Sequence, residues 1–192
     1  MKPEPHAATR RLFLALWPTG AEREALTAAT AAAVAASAGR AVPGPNLHVT
    51  LAFLGAVPEG RIGELAALAA RLATDAAASP LCFTRLEHWR QPRILAALTA
   101  EEPCEAASLA AELKRVTAAA GFLPDLKPFR AHVTVARQVA AGAVAGALEV
   151  PALIWRGATL ALAESRSSPS GPLYSVRDSW LLGKRENMRT EG

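Results

Sequence analysis

The chain has 192 residues, 51% apolar and 20% charged, a balance that excludes intrinsic disorder as its resting condition and gives enough length to bury a core in one domain or two closely packed lobes. A net charge of +4 and an isoelectric point near 9.6 favour an anionic, phosphate-bearing partner. No apolar run reaches the ~18 residues of a membrane span, and residues 1–10 lack the apolar core of a secretory signal. The two cysteines, Cys82 and Cys104, read as free buried thiols of a reducing compartment. These features predict a cytoplasmic protein with no membrane partner.

Residues 1–10 are polar and Pro-containing, and they read as a loose arm. Arg11–Trp17 is a buried strand stopped by Pro18. Thr19 or Gly20 then opens a helix of about 16–18 residues, with Glu22 and Glu24 in the first turn where the helix dipole favours acids. Gly39 ends it, and a Pro-Gly-Pro loop over 42–46 delivers the chain into a strand over 48–55. Pro58 starts a second helix with Ile62, Leu65, Leu68 and Leu72 on one face. Strands follow at Leu81–Trp89 and Arg93–Thr99, around a turn at Gln91-Pro92. Pro103 opens a third helix carrying Ala106, Leu109, Leu113 and Val116, with Gly121 as its C-terminal cap. A Pro-containing loop over 123–129 leads to a strand at 132–137. The Ala-rich stretch 138–148 suggests a short helix, and two late strands are expected over 154–165 and 173–182. The charged tail, 184–192, closes the chain, leaving 11–183 as a single bilobal domain.

Within this order lies an internal repeat. Strand, helix, loop and then a His-x-Thr strand occur over 11–54 and again over 93–137, as expected of two pseudo-symmetric lobes. The motifs are His48-Val-Thr50-Leu-Ala-Phe53 and His132-Val-Thr134-Val-Ala-Arg137, and they hold two of only four histidines. Strand alternation puts Val49, Leu51 and Phe53 on a core face, with His48, Thr50 and Ala52 on the other. Val133 and Val135 likewise turn inward, and His132, Thr134 and Ala136 outward. Lobes that face each other would bring both histidines and both threonines into one cleft.

Two imidazoles, each with an ordinary pKa near ~6.5, can act as base and acid on either side of one displacement. The hydroxyls two residues on can donate to an anionic oxygen held between them. A phosphodiester fits, because attacking water must lose a proton, the leaving alkoxide must gain one, and the non-bridging oxygens need donors. No carboxylates stand at ligand spacing around either histidine, so no metal is required; no other cofactor is expected. Arg130 and Arg137 bracket the second motif, and either guanidinium can grip a phosphate. By regular alternation Arg130 shares the face of His132, whereas Arg137 points away unless the strand bulges near Ala136. Plainer readings stand beside these: strand histidines bonded to backbone, threonines as strand formers, and surface arginines. His88 reads as a surface or edge residue, His6 belongs to the arm, and Trp17 and Trp89 read as core residues that could also stack on a base.

With its opening Arg-Leu-Phe-Leu-Ala-Leu strand and Pro-Phe-Arg-Ala-His-Val-Thr-Val-Ala-Arg at 128–137, the chain resembles the two-histidine phosphoesterase superfamily, and within it the RNA 2′,3′-cyclic phosphodiesterases, also called 2′-5′ RNA ligases. The resemblance spans about residues 10–183. It implies an α+β bilobal fold, with two antiparallel sheets facing a central cleft and helices outside. It also implies metal- and ATP-independent hydrolysis of an RNA 2′,3′-cyclic phosphate end to a 2′-phosphomonoester. In that scheme His48 protonates the leaving 3′ oxygen and His132 activates water. Thr50, Thr134 and Arg137 bind the phosphate, with Arg130 as the other candidate. The expected partner is RNA with such an end, tRNA fragments among the candidates, and the expected state is a monomer. Two alternatives remain: a phosphodiesterase for small cyclic nucleotides or other 2′-linked diesters, and an RNA-end-binding module without turnover.

Overall fold

A computed structural model describes residues 8–143, 146–169 and 171–183. His6 and the charged tail, 184–192, lie outside the described residues. Strand β1 runs Thr9–Leu16 and β3 runs Val49–Pro58, both longer than predicted at their outer ends. The reason is mutual pairing: Thr9 lies opposite Pro58, and the Glu59 N–H donates to the Ala8 carbonyl at 2.9 Å. The last residues of the segment read as a loose arm are therefore strand.

Helix α1 (Gly20–Ala36) begins where the sequence indicates. The Glu22 N–H donates to Thr19 Oγ1 at 3.2 Å and the Thr19 N–H donates to the Glu22 carboxylate at 2.7 Å, a reciprocal cap that satisfies two otherwise orphaned donors. A two-residue strand β2 (Arg40–Ala41) follows, and it was not predicted. Helix α2 occupies Ile62–Asp75, after a tight turn over 59–61. Strands β4 (Leu81–Trp89) and β5 (Ile94–Thr99) lie close to expectation. In helix α3 (Cys104–Ala119) Ala106, Leu109 and Leu113 are buried as their spacing predicts, and Gly121, at φ +80, closes the end. Strand β6 is His132–Arg137.

Two predictions fail beyond this point. No helix forms among the described residues of 138–148; instead β7 runs Ala147–Trp155 along the outer side of β4. Pro151 concealed it, but the proline lies on an edge strand, inside an irregularity between Glu149 and Leu153 where the ladder with β4 is already broken. The expected strand over 154–165 is also interrupted, with β8 starting at Thr159. Gly157 makes the break: its φ is +56, and a Cβ there would collide with the Ser79 carbonyl oxygen. Strand β9 (Leu173–Leu181) is the last element among the described residues.

All strand pairings are antiparallel. One sheet has the order β3-β1-β8-β9 and the other β2-β6-β5-β4-β7. Leaving β2 aside, the two orders correspond strand for strand, and each histidine motif lies beside the opening strand of its own half. The fold is thus α+β, with two antiparallel sheets and a pseudo-two-fold relation between them. The helices cross over: α1, which follows β1, packs on β6 and β7 of the other sheet, while α3, which follows β5, packs on β3. The indole N–H of Trp155 fixes this crossing by donating to the Glu22 carbonyl at 3.0 Å. One continuous apolar core joins the lobes, from Leu12 and Leu14 through Leu26, Leu65 and Leu113 to Phe83 and Trp155. Neither lobe closes its core alone.

Both cysteines are free, but Cys104 is exposed in the first turn of α3 and Cys82 is only half-buried, so neither is the fully buried thiol expected. No helix among the described residues is long and apolar enough to cross a membrane.

Candidate active site

Each histidine is oriented by its own backbone. His48 Nδ1 lies 2.7 Å from the Asn46 carbonyl oxygen, and His132 Nδ1 lies 2.8 Å from the Arg130 carbonyl oxygen, in both cases two residues upstream. A carbonyl only accepts, so Nδ1 must carry the proton and Nε2 is left as the basic nitrogen of a neutral ring. In His48 that nitrogen meets Thr50 Oγ1 at 3.0 Å. While the ring is neutral, the hydroxyl is the donor.

The two motifs contain the same irregularity. Leu14 pairs with Ala52 and Ala15 with Thr50, so Leu51 is passed over in the ladder. Leu95 pairs with Ala136 and Ala96 with Thr134, so Val135 is passed over. One extra residue after each threonine reverses the alternation. Leu51 and Ala52 are consequently both buried, as are Val135 and Ala136. The fifth residue after each histidine swings to the cleft face. Arg137 thereby joins His132 and Thr134, as the alternative of a bulge requires. Phe53, assigned by simple alternation to the core, lines the cleft instead.

A cavity of roughly 580 Å³ gathers His48, Thr50, His132, Thr134 and Arg137, with Phe53 and Tyr174 among its other walls. Arg137 donates to the Tyr174 hydroxyl at 3.3 Å and has no carboxylate partner among the described residues. Arg130 differs. It precedes β6, forms a 2.8 Å ion pair with Glu87 and lies 4.9 Å from the centre of the Trp89 ring. Its charge is therefore offset at the rim of a neighbouring hollow that it shares with His132 and Lys127.

Aromatic rings surround the imidazoles. Trp17 stacks on His48 at 5.5 Å, Phe13 and Tyr174 contact the same ring at 4.9 and 5.1 Å, and Trp89 lies 4.6 Å from His132. Both tryptophans are thus walls of the histidine sites, where the sequence suggested core residues first. Burial is the main force lowering the pKa of His48, from 6.5 to about 4, with Arg137 and His132 adding repulsion against the Asn46 carbonyl. His132 is lowered as well, first by burial and then by the nearby Arg130 and Arg137 charges. Both rings are neutral at pH 7 when no anion is bound.

Tyr174 and Asn46 escaped the sequence reading. Asn46 is buried; its amide donates to the Pro172 carbonyl at 2.9 Å and its side-chain oxygen accepts from the Tyr174 N–H at 3.3 Å. It fastens the loop that carries His48 to the start of β9. The only sequence signal was a lone Asn two residues before the first motif. His88, expected at the surface or a sheet edge, is half-buried on β4, an interior strand, with its Nε2 lacking a partner among the described residues. Among those residues no three His, Cys, Asp or Glu side chains converge as a metal-ligand set.

Comparison with known proteins adds independent findings. The family model described as LigT like Phosphoesterase matches residues 16–96. The chain is 30% identical, over 128 residues, to the RNA 2′,3′-cyclic phosphodiesterase of Escherichia coli (strain K12), covering 67% of this chain and 72% of that protein. Escherichia coli LigT complexed with 3′-AMP is similar in structure at a TM-score of 0.76 and 25% identity, over 92% of this chain and 99% of that one. A Thermus thermophilus protein, TT0787, is similar at 0.75 and 28%, over 91% and 99%.

Proposed function

Because the chain belongs to the LigT-like phosphoesterase family, we propose that it hydrolyses 2′,3′-cyclic phosphodiester ends of RNA to 2′-phosphomonoesters, using His48 and His132 for the two proton transfers. The observation that carries this reading is the pair of Nδ1-anchored imidazoles on one cavity with Thr50, Thr134 and Arg137. Neutral His132 takes a proton from water through Nε2 as the oxygen attacks phosphorus. The P–O3′ bond breaks, and protonated His48 delivers its Nε2 proton to the departing 3′ oxygen. The products are a 2′-phosphate and a free 3′ hydroxyl, and the histidines have exchanged protonation states, to be reset by solvent. Thr50, Thr134 and the Arg137 fork hold the non-bridging oxygens, where charge builds in the transition state. Arg130, already paired with Glu87, is placed outside this set.

His48 must acquire its proton although burial disfavours it. The incoming phosphodiester is an anion, and an anion beside a buried imidazole stabilises its charged form. Substrate thereby creates the protonation state that the reaction uses. No metal or other cofactor enters this scheme. A single chain supplies every group, so a monomer suffices, with residues 11–183 as its catalytic unit. Free thiols suit a cytoplasmic setting, and tRNA fragments with cyclic ends fall within the substrate class.

The direct test is incubation of an oligonucleotide ending in a 2′,3′-cyclic phosphate with the protein in excess chelator, followed by identification of the product. A 2′-phosphate end is expected. A 3′-phosphate end, or turnover restored only by a divalent ion, would overturn the scheme.

A further inference from the structure

The catalytic cavity opens sideways into a second hollow of roughly 280 Å³, which shares His48, Thr50, Phe53, Arg137 and Tyr174 with it and adds Arg11 and Ser165. That hollow continues into a third, of roughly 480 Å³, through Arg11, Phe53, Ser165 and Ser167, where Arg10 and Arg166 join the wall. The three form one groove leading from the scissile site over β1 and the end of β8.

The charges along it are built in. Glu164 is 2% exposed and accepts from Arg166 at 2.9 Å, Arg177 at 2.8 Å and Arg10 at 3.5 Å, so one buried carboxylate holds three guanidinium groups in place. Arg10 is shared with Glu59. Arg11 is different: it is exposed, has no carboxylate partner among the described residues, and lies 4.8 Å from the centre of the Phe53 ring. Stacking uses the face of a guanidinium and leaves its N–H edge free to bind an anion. The Ser165 and Ser167 hydroxyls also lack protein partners among the described residues.

We propose that this groove seats the RNA strand on the 5′ side of the cyclic end, with Arg11 gripping the phosphodiester just upstream of the terminal nucleotide. The proposal rests on the reading of the substrate as RNA. A cyclic phosphate end has a neighbouring phosphate on one side only, and this groove leads to Arg11, whereas in the other cationic hollow beside the cavity Arg130 is already paired with Glu87 and Lys114 with Asp125. Phe53, turned into the cleft by the Leu51 bulge, props Arg11 from below.

Turnover of a nucleoside 2′,3′-cyclic phosphate with a free 5′ hydroxyl is compared with that of a short oligonucleotide ending in the same nucleotide. Arg11→Gln lowers kcat/KM about tenfold on the oligonucleotide, the size of one charge-assisted contact, and leaves the nucleoside unchanged. Arg166→Gln has a smaller effect in the same sense. The salt dependence of affinity for a 2′-phosphate-ended oligonucleotide becomes shallower by about 0.7 in the log–log slope for Arg11→Gln. Equal losses on both substrates, or no loss on either, would overturn the groove assignment. If the wild-type protein turns over neither substrate, the phosphodiesterase reading has failed. The groove is then judged by oligonucleotide binding alone: dependence on Arg11 supports it and independence refutes it.

Discussion

The two histidine motifs are alike in backbone and unlike in chemistry. Each anchors Nδ1 to a carbonyl two residues upstream, and each bulges just after its threonine. The hydrogen bonds around the bulges are not equivalent: the Asp125 N–H donates to the Phe53 carbonyl, two residues beyond the bulge, in one lobe, and the Val42 N–H to the carbonyl of the bulged Val135 in the other, both at 2.9 Å. What the bulge presents differs: Phe53 from the first lobe and Arg137 from the second. The surroundings differ too. His48 is packed against Phe13, Trp17 and Tyr174 and bonded to Thr50, whereas His132 has Trp89 beside it and no such hydroxyl contact among the described residues. A duplicated frame thus carries two unequal imidazoles. Duplication positions the pair, and divergence of the side chains around it gives each member its own proton affinity.

The sharpest way to test that inequality is to remove one imidazole at a time. His48→Ala and His132→Ala should each lower turnover by roughly 10²–10⁴-fold, the usual worth of a positioned acid or base. The double variant should fall by much less than the product of the two, because groups that act together are not additive. A substrate with sulfur in place of the leaving 3′ oxygen needs little protonation and should rescue His48→Ala alone. Rescue of His132→Ala instead would exchange the two roles.

Smaller losses should separate the phosphate-binding groups. Thr50→Ala and Thr134→Ala should each cost roughly 10²-fold in kcat, as expected of one donor to a developing oxyanion. Thr50→Ala should cost more, since it also removes the contact to His48 Nε2. Arg137→Gln should act at least tenfold on kcat/KM. Tyr174→Phe, which removes only the 3.3 Å bond that steadies Arg137, should cost a fewfold at most. An equal effect of Arg137→Gln and Tyr174→Phe would mean that Arg137 does not reach the phosphate.

Much of this site is legible in the sequence because its signals are local. A His and a Thr two apart on a strand share a face whatever the fold, and the repeat brings the two motifs together. The duplication, the three helices and the caps of α1 and α3 follow from short-range rules. The misreadings come from long-range causes. Phe53 was placed in the core because nothing within 48–55 announces a bulge, which exists only in the register against β1. β7 was hidden because Ala and Pro are poor strand formers, and its stabilisation comes from pairing with β4. Gly157 divides a seemingly continuous strand because the Ser79 carbonyl, distant in sequence, leaves no room for a side chain. Tyr174 reaches the cleft only because Asn46 holds the two segments together.

The last consequence of the inequality is a displaced pH dependence. In the free protein His48 is lowered to about 4 and His132 is lowered from 6.5, both chiefly by burial. Catalysis needs one protonated and one neutral ring, so kcat/KM, which reports the free protein, should be bell-shaped with its optimum below pH 6.5 and its acid limb near pH 4. In the complex the phosphodiester charge favours imidazolium, so the kcat optimum should move to higher pH. The same linkage makes substrate binding take up a proton: at pH 7 the empty site holds two neutral rings and the complex holds one charged. Calorimetry of an oligonucleotide with a non-hydrolysable end, in buffers of different ionisation heat, should show net proton uptake at pH 7. His48→Gln should abolish that uptake and His132→Gln should leave it in place. The folded state should follow the same sign. Groups lowered on folding leave the unfolded chain binding more protons below pH 6.5, so stability is complete above that pH and declines as the pH falls toward 4. Absence of proton uptake on binding, or a kcat/KM optimum above about pH 8, would show that His48 is already charged in the free protein and that its aromatic surroundings do not hold it neutral.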